Sequence, residues 1–159
     1  MSIPPTTDDD RPHEEALAAK LRALIKVCYD AEQGYRVAAS APCAPERRAL
    51  FERYAEQRAE CVAELRAELA RLPAAGEAPA SSPEPQGPRH TLAGDEHAAV
   101  ACCARLEGDA IKAYEDVLGD RLPPHVEPIL RRQYEAVKGA YDAMSHLRGD
   151  RSPTSRPPA

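Results

Sequence analysis

The sequence predicts an all-α protein built as a bundle of four helices, and three observations carry that prediction. The first is composition. Across 159 residues the chain is 43% hydrophobic but 4% aromatic, with no Trp, one Phe and 30 Ala. A sheet core needs β-branched and aromatic bulk, whereas Ala, Leu, Glu and Arg favour helix. The second is segregation: the 16 Pro fall almost entirely outside four long stretches, as they must if those stretches are helical. The third is periodicity. Within each stretch apolar residues recur at spacings of three and four, which marks one buried face of a helix.

The first stretch, residues 14–40, places Leu17, Leu21, Leu24, Cys28, Ala31, Tyr35 and Ala38 on one stripe. The second, residues 45–72, opens with Pro45 and Glu46, both suited to a first helical turn. It continues through Phe51, Tyr54, Cys61, Val62, Leu65, Leu69 and Leu72. The third, residues 95–118, carries Val100, Cys103, Ala110, Ile111, Tyr114 and Leu118, and Gly119 follows at the position where a helix turns off. The fourth, residues 124–148, carries Val126, Leu130, Gln133, Val137, Ala140, Met144 and Leu147 in near a/d alternation, with Gly149 after it. Pro128 sits in its early part, so its first turn is distorted or the helix begins near Pro128.

Four such stripes bury one another. The links 41–44 and 119–123 are short, so the helices pair as two antiparallel hairpins. Residues 73–94, rich in Pro, are long enough to run the length of the bundle. Such a crossover makes the second and third helices parallel, which is the ferritin-like connection; exchange of hairpins between two chains is the alternative. The bundle thus spans 14–148, between tails 1–13 and 149–159 expected to be disordered.

The net charge of −5, from 26 acidic and 21 basic residues, gives no reason to bind nucleic acid or anionic lipid. The longest apolar run, Ala98–Ala104, is far too short to span a membrane. The acidic, Pro-rich start does not read as a secretory signal. Five Cys without a CxxC spacing fit reduced thiols, and hence a cytoplasmic protein.

Function is sought where polar residues occupy positions that the helical pattern gives to the core. Glu32, Arg58, Glu107 and Gln133 do so. A buried carboxylate must be paired, metal-bound or protonated. One reading is a charge network of Glu32, Arg58 and Glu107 with Gln133 and tyrosine hydroxyls, which fixes helix register. A second is a metal site that uses the two Glu, and a third leaves them partly exposed to solvent through a loosely packed, Ala-rich bundle. The segments CYDAEQGY (28–35) and CARLEGDAIKAY (103–114) echo each other and align Glu32 with Glu107.

Those segments, with Gln57-Arg58 to Leu65, Leu122-Pro123-Pro124 and Gln133 to Tyr141, resemble the bacterial ferritin-like four-helix-bundle family called domain of unknown function 2383. The resemblance covers 14–72 and 92–148. It implies a ferritin-like fold, no established enzymatic activity, a possible link to stress, and Glu32 and Glu107 as the core glutamates. Di-iron members of the wider fold use ExxH pairs. None of His13, His90, His97, His125 and His146 has Glu three residues before it. Tyr141 stands on the fourth helix where His is expected, and Arg58 opposes a cation beside the glutamates. The expectation is therefore a non-catalytic helical module with no cofactor. It pairs with itself or with another helical protein, and its own core holds a buried polar network of Glu32, Arg58, Glu107, Gln133 and Tyr141. The alternatives are an iron or other divalent metal on Glu32, Glu107 and Tyr141, and a thiol-based redox response. For the latter, Cys43 is the accessible candidate, and Cys28 and Cys61 lie on facing stripes of the first hairpin.

Overall fold

The computed structural model describes residues 11–73 and 96–149. Those residues are all-helical: α1 runs Arg11–Ser40, α2 Pro45–Arg71, α3 Glu96–Leu118 and α4 Glu127–Leu147. Two boundaries differ from expectation. The first helix starts at Arg11, so residues 11–13 belong to it and not to a tail. Pro12 falls in the first turn, where its missing N–H removes no helical hydrogen bond. The fourth helix starts at Glu127, with Pro128 in its first turn. Pro123 and Pro124 stay outside, and the Pro123 carbonyl accepts from the amides of Val126 and Glu127 in the turn that leads in. Gly149 closes α4 with φ +68°, a conformation that favours glycine. The other residues assigned to the tails, and most of the 73–94 linker, lie outside the described residues.

Side-chain pairs fix the packing. Arg48 Nε donates to the Ala39 carbonyl (3.2 Å), and the rings of Tyr35 and Tyr54 lie 5.4 Å apart, so α2 descends alongside α1. On α1, Lys20 pairs with Asp120 just past α3, while Tyr35 bonds Glu107 further back along it. Helices α1 and α3 are therefore antiparallel. Tyr114 with Gln133, and Gly108 against Tyr141, set α3 and α4 antiparallel. Arg132 with Glu64, and His125 with Glu68, do the same for α4 and α2. It follows that α2 and α3 run in the same direction, and Arg47 and Glu96, near their starts, lie 3.6 Å apart. The backbones of α2 and α4 stay further apart than those of the other neighbouring pairs; long polar side chains bridge that seam.

The apolar core falls into two clusters. One gathers Leu21, Leu24, Val62, Leu65, Tyr114, Val117 and Leu130. The other gathers Tyr35, Phe51, Tyr54, Val100, Cys103, Ala140 and Met144. Arg58, seven residues from both Phe51 and Leu65 on α2, stands at the level between them. Gly139, in the interior of α4, has nothing within 4 Å of the place a Cβ would take. Gly139→Ala is therefore expected to raise the unfolding free energy by about 0.5–1 kcal/mol, read as a higher urea midpoint, because it removes backbone freedom from the unfolded chain without a clash. No described helix is long and apolar enough to cross a membrane.

Candidate functional site

The site lies at the level between the two clusters and draws on all four helices. Arg58 is central on the buried face of α2 and is 0% exposed, as is Glu107 on α3. An unpartnered charge at either position would be untenable. They pair with each other: Arg58 Nε donates to Glu107 Oε1 at 2.9 Å, while Glu107 Oε2 has no hydrogen-bond partner among the described residues. Tyr35, from α1, donates its hydroxyl to the same oxygen at 2.7 Å. The rest of the guanidinium is shared out, Nη2 to the Ala136 carbonyl of α4 at 3.4 Å and Nη1 to Cys61 Sγ at 3.6 Å. The guanidinium serves these three partners from separate nitrogens held in one rigid plane.

A second group of bonds continues toward the other end. Tyr114 of α3 donates to Gln133 Oε1 of α4 at 2.8 Å, and its hydroxyl lies 3.2 Å from Cys28 Sγ of α1. Across α1 and α2, Cys28 faces Cys61, each seven residues along from the Tyr35–Tyr54 pair and in the same buried cluster. Thus Glu107, Arg58 and Cys61 form one bonded group and Cys28, Tyr114 and Gln133 another, adjoining through the facing cysteines.

The electrostatics follow from burial and from Arg58. Burial pushes the Glu107 carboxyl above its ordinary range, by more than Arg58 and Tyr35 draw it back. Burial alone would lower Arg58, but the charge and hydrogen bond of Glu107 outweigh it and keep the guanidinium protonated. Tyr35 and Tyr114 are raised, mainly by burial, and stay neutral donors. The Cys61 thiol is drawn down by the hydrogen bond from Cys28 and by the nearby guanidinium, while Cys28 is held up by the same pairing and by burial.

Of the residues picked from sequence, Arg58, Glu107 and Gln133 lie buried in this chain. Glu32 does not join them. It bonds Arg36 one turn on, at 2.8 and 3.0 Å, with its side chain 12% exposed. The reason is geometric: at 100° per residue Glu32 lies roughly 80° from the local centre of its stripe, whereas Glu107 lies within roughly 10°. Tyr141 is half-buried; its ring packs 3.5 Å from where a Cβ on Gly108 would be, and its hydroxyl bonds none of the described residues. The set Glu32, Glu107 and Tyr141 is therefore not assembled: Glu107 Oε1 is taken by Arg58 and Tyr35, its Oε2 has no hydrogen-bond partner among the described residues, and Glu32 turns to Arg36. Among the described residues no three His, Cys, Asp or Glu side chains are grouped so as to hold a metal. The sequence reading invoked tyrosine hydroxyls without naming Tyr35 and Tyr114. Their places on the buried stripes, beside Glu107 and Gln133, were the available signal.

A family model described as Domain of unknown function (DUF2383) matches residues 16–84, a stretch that takes in most of α1 and all of α2. No curated protein matches the chain.

Proposed function

We propose that this chain is a ferritin-like four-helix bundle whose centre is closed by an internal ion pair, and that it works as a non-catalytic helical module. Its partner on this reading is a second copy of itself or another helical protein, met through the outer faces. The observation that carries the reading is the fully buried Arg58 guanidinium on Glu107, at the level where ferritin-like enzymes gather carboxylates around metal. The parallel run of α2 and α3 supports the ferritin-like connection, with the Pro-rich 73–94 stretch as the crossover between the hairpins.

The test is elemental analysis of untagged protein after loading with iron, manganese or zinc and desalting. The expected result is metal far below one equivalent, unchanged by Glu107→Gln. Stoichiometric metal that Glu107→Gln abolishes would overturn the reading. Sedimentation across a concentration series then separates self-association from a need for a different partner.

A further inference from the structure

Cys28 and Cys61 meet in the core, and three features of their surroundings act together. The two residues face each other across α1 and α2, each seven residues along from the Tyr35–Tyr54 pair, and belong to one buried cluster. The Arg58 guanidinium hydrogen-bonds only Cys61 of the two, with Nη1 3.6 Å from its Sγ, and acts on Cys28 from further away. The Tyr114 hydroxyl, bonded to Gln133 Oε1, lies 3.2 Å from Cys28 Sγ. The pair is therefore asymmetric: Cys61 is the sulfur stabilised as a thiolate and Cys28 the sulfur that keeps its proton. Cys61 also retains 5% exposure against none for Cys28, and it lies on α2, whose seam with α4 is the widest between neighbouring helices. Neither sulfur is in a disulfide.

We propose that Cys28 and Cys61 form an oxidisable dithiol, which a hydroperoxide closes into a disulfide that ties α1 to α2 in the middle of the bundle. In the first step the Cys61 thiolate attacks the terminal oxygen of the hydroperoxide. The S–O bond forms, the O–O bond breaks, and the leaving oxygen departs as water or an alcohol after taking a proton. Cys61 is thereby oxidised by two electrons to a sulfenic acid. In the second step the Cys28 sulfur attacks Cys61, the S–S bond forms, the S–O bond breaks, and hydroxide leaves with the Cys28 proton as water. The dithiol has lost two electrons and two protons, and the hydroperoxide has been reduced. An S–S bond of about 2.05 Å ties the two helices at this level. It also takes away the thiolate that Arg58 faced, so the redox state is read directly by the buried ion pair.

The test uses the full-length reduced protein treated with hydrogen peroxide, quenched into acidic urea, alkylated and mapped by mass spectrometry. The expected result is loss of two of the five thiols together with a linked peptide that joins Cys28 to Cys61, while Cys102 and Cys103 remain alkylated. With Cys28→Ser, a sulfenic-acid trap such as dimedone labels Cys61; with Cys61→Ser, Cys28 stays unlabelled at the same dose. In the parent protein, native alkylation of Cys61 reaches half its maximal rate below the ordinary thiol value of about 8.5. Oxidation that begins at Cys43 or Cys102, or that yields no Cys28–Cys61 linkage, would overturn the proposal. The mapping of the parent protein needs no variant to fold.

Discussion

Glu107→Leu is expected to lower the unfolding free energy by about 3–5 kcal/mol, the usual cost of removing one partner from a buried ion pair. The substitution nearly conserves volume, so little of the loss comes from a cavity. It comes from Arg58, 0% exposed, whose charge would retain only the Ala136 carbonyl and the Cys61 sulfur as partners. Tyr35 loses its acceptor as well. Glu107→Gln is expected to cost less, because an amide oxygen still accepts from both Arg58 and Tyr35 while the compensating charge is gone. Urea unfolding followed by circular dichroism measures both. A loss under about 1 kcal/mol for Glu107→Leu would mean that Arg58 reaches water, contrary to its burial.

Phe51→Ala is expected to cost about 3–5 kcal/mol and Leu65→Ala about 2–5 kcal/mol, by lost burial and residual cavity. Both side chains are 0% exposed. They stand on α2 about 21 Å apart at 1.5 Å per residue, one in each apolar cluster, with Arg58 between. Truncations on opposite sides of that polar level share no partners and should add. The milder pair Val62→Ala and Val100→Ala, one from each cluster, should combine within about 0.5 kcal/mol of the sum of the singles. Strong coupling between them would show a single continuous core in place of two clusters that meet at an ion pair.

Much of this was legible in the residues, and the failures have physical causes. The four helices follow from spacing and from the segregation of Pro, and the errors fall at ends where Pro is compatible with a first turn: Pro12 opens one helix and Pro128 another. Arg58 and Glu107 betray themselves as charges at the centre of apolar stripes. Glu32 misled because it sits at a stripe's edge, where a local partner, Arg36, serves as well as a buried one. The echo between its segment and that of Glu107 is a likeness of sequence and not of position in the bundle. Tyr141 misled in a similar way, since it packs against Gly108 on the rim and leaves the interior to Tyr35 and Tyr114. Pairing between α1 and α2 could be anticipated from a short link, so the meeting of Cys28 and Cys61 was foreseeable. The level of α3 against α2 was not, because the long stretch between them leaves it free. The bond from Arg58 to Glu107 is what sets that level.

The most direct test is a double-mutant cycle on Arg58→Met and Glu107→Leu, with each variant unfolded in urea. The account predicts a double variant that loses at least about 2 kcal/mol less than the sum of the singles, because apolar side chains of similar volume replace the whole pair and strand no charge. Losses that simply add would contradict it, and would leave Arg58 and Glu107 as two separately satisfied groups with no ion pair at the centre of the bundle.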